Sequence, residues 1–141
     1  MANRDMGVIT HLKLWKLHYD EIIGHLASEL PNEAGGIVAG IENQSMSIYP
    51  IRNILNHPSL FRFDPQEQIS AFLEIEDKGW DLLAFYHSHP LGPGLPSKID
   101  IAEANYPRVS QLIFSHETAQ WSCRGFIIRE TKISEIDMHI I

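Results

Sequence analysis

The sequence predicts a mixed α/β fold in which a largely antiparallel, curved central sheet is flanked by about three helices. Strand-like segments outnumber helical ones, and several of them are separated by connections of hairpin length. Three segments show helical spacing or helix-start signals. With 141 residues, 44% of them hydrophobic, the chain can bury about 68–70% of its unfolded surface in a single core. The sequence therefore predicts one domain over residues 1–141.

A strand and a helix are predicted at the start of the chain. Residues 7–14 form the predicted first strand. Apolar residues then recur at helical spacing: Trp15, Tyr19, Ile22, Ile23, Leu26 and Leu30. Pro31 is expected to end this helix, because proline lacks the amide hydrogen that a helix interior requires.

A hairpin and a loop are predicted next. Residues 36–41 and 46–54 have strand character and are expected to pair around residues 42–45. Pro50 indicates an edge or a bulge in the second strand, because proline cannot donate to a sheet ladder. Residues 52–63 are predicted to form a loop.

The second helix has a strong start signal. Asp64 is the predicted N-cap, Pro65 occupies the first helical position and Glu67 is expected to close a capping box. Gly79 is expected to end the helix. The mostly apolar residues 80–87 then predict a short buried strand.

The remaining elements are one helix and three strands. The helix is predicted to begin at Ser97 and to end before Pro107. Residues 109–115, 121–129 and 132–139 are predicted strands, because β-branched and aromatic residues recur in them.

A group of polar residues begins at the carboxyl end of the buried strand: His87, Ser88, His89, Ser97 and Asp100. Its two histidines and its aspartate are metal-binding residue types. Histidines two positions apart project to the same side of an extended chain. Two imidazoles and a carboxylate are donors that zinc accepts, and a set of three leaves a fourth tetrahedral position for water. Such a site lowers the pKa of the bound water to near neutrality. The spacing therefore predicts a catalytic zinc site at His87, His89 and Asp100.

Each of these residues also has a structural interpretation. Ser97 and Asp100 suit a capping box at the start of a helix, and the two histidines suit the end of a strand. The joint spacing of all the residues favours the metal site, and capping by Ser97 is compatible with it. Residues 90–96 contain three prolines and two glycines, which suit either a wall of the active site or a plain connection.

The same residues resemble a known signature. His87-Ser88-His89-Pro90 with Ser97 and Asp100 resembles the motif of the JAMM (MPN-plus) metalloprotease family. Residues 30–40, LPNEAGGIVAG, are similar to the family segment that follows the first helix and carries the catalytic glutamate. Residues 53–65 are similar to a loop and helix start of the small prokaryotic members. The resemblance covers about residues 14–126.

This resemblance implies an MPN/JAMM-like fold and assigns roles to individual residues. His87, His89 and Asp100 would hold Zn²⁺. Glu33 would be the general base that takes a proton from the activated water and passes it to the leaving amine, a role that contributes about 10²–10⁴-fold. Ser97 would donate a hydrogen bond to the oxyanion, which stabilises it by about 2.7–4 kcal/mol. Without the downstream motif, Glu33 would be interpreted as an exposed carboxylate after a helix.

Composition argues against several classes of function. The net charge of −7 and the scattered arrangement of eleven basic residues predict no binding to nucleic acid or acidic membranes. No apolar run approaches the length of a membrane span or a signal peptide, so a cytoplasmic protein is expected. Cys123 is the only cysteine, which excludes an internal disulfide, a thiolate zinc site and the Pro-Cys-x-x-Cys element of zinc deaminases.

The resemblance implies cleavage of a peptide or isopeptide bond at the carboxyl terminus of a ubiquitin-like or sulfur-carrier protein with a Gly-Gly tail. The chain is short for the long insertions with which eukaryotic relatives grip ubiquitin chains. We therefore expect release of a small modifier or sulfur carrier from a lysine or cysteine adduct. A homodimer is a possible assembly. The alternative is a non-catalytic scaffold domain of the MPN-minus kind, although such members have usually lost metal ligands that this sequence retains.

Overall fold

The computed structural model describes residues 9–141, which form three helices and seven strands. The helices are α1 (Lys16–Glu29), α2 (Pro65–Asp77) and α3 (Lys98–Ala102). The strands are β1 (His11–Leu14), β2 (Gly35–Ile41), β3 (Gln44–Ile51), β4 (Asp81–His89), β5 (Ser110–Ser115), β6 (Ser122–Arg129) and β7 (Lys132–Ile140). No helix within residues 9–141 combines the length and apolarity needed to cross a membrane.

The mixed α/β class with three helices is confirmed, but the expected curved central sheet is a closed barrel. The strand order is β1-β3-β2-β4-β5-β6-β7, and β7 returns to pair with β1. Three of the seven pairings are parallel, namely β1 with β3, β1 with β7 and β4 with β5. The β1–β7 pairing joins opposite ends of the described chain, for example Leu12 with Met138. Local strand patterns carry no signal for such a distant partner, which is why the sequence did not reveal the closure.

Strand β4 lies at the centre of the molecule and is buried on both faces. Phe85 packs in one core cluster with Ile75 of α2. Tyr86 packs in a second cluster with Leu26 of α1. Burial on both faces explains why this strand is an almost continuous apolar run. Because side chains alternate, His87 follows on the same side as Phe85.

The hairpin of β2 and β3 is tighter than predicted. Its connection is the two-residue turn Glu42-Asn43, with φ angles of 54° and 63°. Two positive φ angles are the signature of a type I′ turn, whose twist matches that of the flanking strands. Because the turn is short, strand β3 begins at Gln44. It ends at Ile51, three residues before its predicted end. Pro50 lies within this strand, opposite Gly36.

The helix boundaries agree with the predictions, but one expected capping interaction is absent. Helix α1 ends two residues before Pro31. The Asp64 side chain caps α2 by accepting a 2.9 Å hydrogen bond from the Gln66 amide. Glu67 does not close the expected capping box, because its carboxylate accepts the backbone amide of Arg52 at 2.8 Å instead.

Several strand boundaries also shift by a few residues. Strand β4 extends to His89, two residues beyond the predicted range. The predicted first strand begins later, at His11, and residues 7 and 8 lie outside the described residues.

Candidate active site

The last residues of β4 and the start of α3 bring three predicted ligands together. The Nε2 atoms of His87 and His89 lie 3.1 Å apart. Asp100 Oδ2 lies 3.2 Å from each of these two nitrogen atoms. His87 and His89 are buried, whereas the side chain of Asp100 is 21% exposed. The three side chains thus converge on one point at the carboxyl end of β4.

This spacing fits a tetrahedral metal ion. An ion with bonds of about 2.0–2.2 Å separates its ligand atoms by about 3.3–3.6 Å, close to the observed 3.1–3.2 Å. Two imidazole nitrogens and a carboxylate oxygen are also a donor set that zinc accepts. His87, His89 and Asp100 could therefore hold such an ion.

Asp100 is oriented by a capping box at the start of α3. The Ser97 amide donates to Asp100 Oδ2 at 2.8 Å, and the Asp100 amide donates to Ser97 Oγ at 3.0 Å. The expected capping role of Ser97 is therefore confirmed. Because Oγ accepts this bond, its own hydrogen stays available for a further acceptor.

His89 is oriented by the loop that follows it. Its Nδ1 lies 3.0 Å from the carbonyl oxygen of Pro93. A carbonyl can only accept, so Nδ1 carries the hydrogen of this bond and Nε2 faces Asp100 and His87. Ser115 holds the same loop by donating from Oγ to the carbonyl of Gly92 at 2.8 Å. Residues 90–96 therefore contact a candidate metal ligand and are themselves held in place by Ser115.

Glu33 approaches the histidines from the segment between α1 and β2. Glu33 is 9% exposed, and ligand atoms of Glu33, His87 and His89 all lie within 4.8 Å of one another. Strand pairing creates this proximity, because Gly35 lies opposite His87. Glu33 is consequently a second carboxylate that could serve either as a base or as a ligand.

Ser88, on the opposite face of β4, holds the backbone of Ala34, which is next to Glu33. The Ala34 amide donates to Ser88 Oγ at 3.0 Å, and the Ser88 amide donates to the Ala34 carbonyl at 2.9 Å. Ser88 is fully buried. Sequence reasoning assigned it no role, although a small polar residue between two candidate ligands in an apolar strand is a usable signal.

Two residues of the 52–63 loop also support the site, and sequence reasoning missed both. The ring of Phe61 stacks on His87, with centroids 5.7 Å apart and planes 15° apart. Gly35 makes room for this ring, because a Cβ atom there would lie 2.7 Å from Phe61 and 2.4 Å from the Tyr86 carbonyl oxygen. Asn53 is buried and bonds to the backbone of Glu33. Both residues lie in the stretch that resembles the small prokaryotic members, but that resemblance assigned neither of them a role.

The ionisable groups of the site have shifted proton affinities. Burial raises the pKa of Glu33, although His87 and His89 oppose the shift. Burial opposes the negative charge of Asp100 too, but contacts with His87 and His89 outweigh it and hold its pKa well below the usual range. Burial likewise opposes the charged form of His89, yet Asp100 and the Pro93 carbonyl raise its pKa. The site therefore combines a stabilised carboxylate anion with a carboxylate that retains a proton more readily.

Comparisons with known proteins agree with this arrangement. The family profile described as prokaryotic homologs of the JAB domain matches residues 16–124. A probable TtuB-protein conjugate cleaving protease of Thermus thermophilus is 38% identical over 114 residues, covering 79% of this chain and 72% of that protein. A desampylase of Pyrococcus furiosus is 32% identical over 120 residues, covering 84% of each.

Solved structures are similar as well. The solution structure of a Desulfitobacterium hafniense protein has a TM-score of 0.82 and 32% identity, and the match covers 92% of each chain. A JAB1/MPN domain protein from Archaeoglobus fulgidus has a TM-score of 0.56 at 17% identity, with 91% of this chain and 99% of that one covered, and shares the fold. The chain therefore belongs to the prokaryotic branch of the JAB-domain family, the small prokaryotic JAMM/MPN proteins.

Proposed function

We propose that this protein is a zinc-dependent hydrolase that cleaves a peptide or isopeptide bond at the carboxyl terminus of a ubiquitin-like or sulfur-carrier protein. The observation that carries the proposal is the convergence of His87, His89 and Asp100 to within 3.2 Å of one another. A buried carboxylate, Glu33, lies beside the two histidines. A scaffold domain would have no need for this set of groups.

The substrate class rests on the relatives. One is named as cleaving TtuB-protein conjugates, two as desampylases and others as CysO-cysteine peptidases. Their names support hydrolysis of protein conjugates or cysteine adducts by this family. We propose that the substrate here is a small modifier or sulfur carrier whose flexible Gly-Gly tail enters between the 52–63 loop and residues 90–96. Glycines suit such a passage because they lack side chains.

Each site residue has a proposed task. His87, His89 and Asp100 would hold Zn²⁺, which when bound supplies Lewis-acid chemistry and lowers the pKa of water. Glu33 takes the proton of the attacking water and delivers it to the leaving amine. Its raised pKa favours the first step, since a carboxylate with a higher pKa accepts a proton more readily. The free hydrogen of Ser97 Oγ is donated to the substrate carbonyl oxygen as negative charge develops there.

We also propose that residues 1–141 act as one domain and that the protein works in the cytoplasm. The closure of the barrel by β1 and β7, from opposite ends of the described chain, supports a single unit. The single cysteine, Cys123, is compatible with a reducing compartment.

The test is a cleavage assay with fusions of a ubiquitin-like protein. Zinc-loaded protein is incubated with fusions that carry Gly-Gly or Ala-Val before the junction, and Glu33→Gln serves as the control. We expect cleavage after Gly-Gly, little cleavage after Ala-Val, and cleavage by the control that is slower by at least about 10²-fold. Equal cleavage of both junctions would contradict the narrow passage. If no fusion or conjugate is cleaved, the scaffold hypothesis replaces the proposal.

A further inference from the structure

Asn53 is a buried amide whose hydrogen-bonding capacity is fully used. It belongs to the 52–63 loop, which follows the end of β3 at Ile51, and it is 7% exposed. Its Nδ2 donates to the carbonyl oxygens of Glu33 at 3.0 Å and of Leu60 at 2.9 Å. Its Oδ1 accepts the amides of Leu55 and Arg62, both at 3.1 Å. Two donors and two lone pairs are thus all paired.

These bonds replace the sheet ladder at Glu33. Strand β2 begins only at Gly35, so the main chain of Glu33 finds its partners in the 52–63 loop. The Glu33 carbonyl accepts from Asn53, and the Glu33 amide donates to the carbonyl of His57 at 3.0 Å. Both backbone bonds of the candidate base therefore come from one loop, and Asn53 holds that loop closed.

The same loop contacts the other side of the site. Phe61, which follows the Leu60 carbonyl held by Asn53, stacks on His87. The amide of Asn53 consequently joins the backbone of the base to the segment that covers a metal ligand. Aspartate lacks the two donors, and glutamine places the same groups one methylene farther away.

We infer that Asn53 is a positioning residue for the reaction, acting on the Glu33 backbone. The inference rests on the proposed function, in which Glu33 must lie within reach of the attacking water. A displacement of about 1 Å from a distant mutation can lower turnover by about 10²-fold. Asn53 itself touches neither substrate nor metal ligands in this arrangement.

A double-mutant cycle tests the inference. Asn53→Ala should lower kcat by about 10-fold to 100-fold while the zinc content is unchanged. In the Glu33→Gln background the same substitution should lower turnover by less than about threefold, because residues that act as a unit are not additive. Asn53→Asp is the second variant, since it keeps the acceptor for the Leu55 and Arg62 amides but loses the bonds to the Glu33 and Leu60 carbonyls. It should reproduce the non-additivity if Asn53→Ala fails to fold.

The matched control is Ser45→Ala. Ser45 is fully buried, and its Oγ accepts the Trp15 amide at 3.1 Å and lies 2.6 Å from His18 Nδ1. It lies opposite Gly40, five residues along β2 from the pairing of Gly35 with His87. Its loss should destabilise the fold without changing kcat. Unchanged kcat in the Asn53 variants, a full-sized loss in the Glu33→Gln background, or loss of zinc would each overturn the inference.

Amide hydrogen exchange separates this inference from the proposed function. Both Asn53 variants should speed exchange of the Glu33 amide by at least about tenfold, since the loop that carries the His57 carbonyl is released. Ser45→Ala should leave that amide unchanged. If the wild-type protein cleaves no fusion, the proposed function fails, and this measurement still decides whether Asn53 positions the Glu33 backbone: faster exchange supports that positioning, and unchanged exchange overturns it.

Discussion

Two carboxylates, Glu33 and Asp100, face the same pair of imidazoles from different parts of the fold, and their surroundings differ in a useful way. The Asp100 carboxylate contacts both histidines and accepts the Ser97 amide. These contacts outweigh burial and hold the pKa of Asp100 below its usual range. Burial raises the pKa of Glu33 instead. When the surroundings shift the pKa values of two carboxylates in opposite directions, the two groups can take different roles in one site.

The supports of the two carboxylates differ as well. Asp100 is held through its side chain by a local capping box with Ser97, three positions earlier in the chain. Glu33 is held through its backbone by the 52–63 loop, about twenty residues away along the chain. A ligand needs a fixed oxygen atom, whereas a base must move a proton and benefits from a side chain that its backbone aims but does not clamp. This comparison supports the proposed roles, metal binding for Asp100 and proton transfer for Glu33.

The largest expected effect concerns metal binding, and it tests the comparison between Asp100 and Glu33 directly. His89→Ala and Asp100→Asn should abolish stoichiometric zinc, because a site with three protein ligands loses most of its affinity with one of them. Glu33→Gln should retain zinc and lose turnover by at least about 10²-fold. Metal analysis of the purified variants measures the first effect. Full zinc in Asp100→Asn together with loss of zinc in Glu33→Gln would reverse the two assignments.

A smaller effect is expected at Ser97, which supports Asp100 and is the proposed oxyanion donor. Ser97→Ala should slow the chemical step by about 10²–10³-fold and change substrate binding less. Single-turnover kinetics separate the two. Ser97→Thr, which keeps a hydroxyl and a capping oxygen, is the control and should retain most of the rate. A defect confined to KM would mean that Ser97 binds substrate or only caps α3.

The smallest effect is expected at Ser115, which holds the loop of residues 90–96 beside the candidate ligand His89. Ser115→Ala loses the bond to the Gly92 carbonyl, so the unfolding free energy of the zinc-free protein should fall by about 1 kcal/mol. Zinc affinity should fall by less than about tenfold, because the loop that orients His89 is only loosened. Denaturant unfolding and zinc titration measure the two quantities.

Ser110→Ala is the matched control for Ser115. Ser110 is also buried, and its Oγ donates to the Leu83 carbonyl at 2.9 Å, outside both loops. It should lose similar stability without changing zinc affinity. The same change in zinc affinity in both variants would show that the loop contributes nothing specific to His89.

Local patterns predicted much of the structure. The apolar run of β4, the Asp64 start of α2, the capping by Ser97 and the strands near the end of the chain depend on near neighbours, and each appears within a few residues of its expected range. The spacing of His87, His89 and Asp100 also allowed their convergence to be expected, because one strand end, a short loop and a helix start span only fourteen residues.

By itself, the sequence determined the elements to within a few residues, the caps at Asp64 and Ser97, and the residue types available for a metal site. Only the tertiary structure decided that the sheet closes through β1 and β7, that Gly35 lies opposite His87, and that Asn53 and Phe61 support the site from a loop. The physical reason is range. Propensity, alternation and capping act over a few residues, whereas the approach of Glu33 to the histidines spans more than fifty and depends on the register in which β2 and β4 pair.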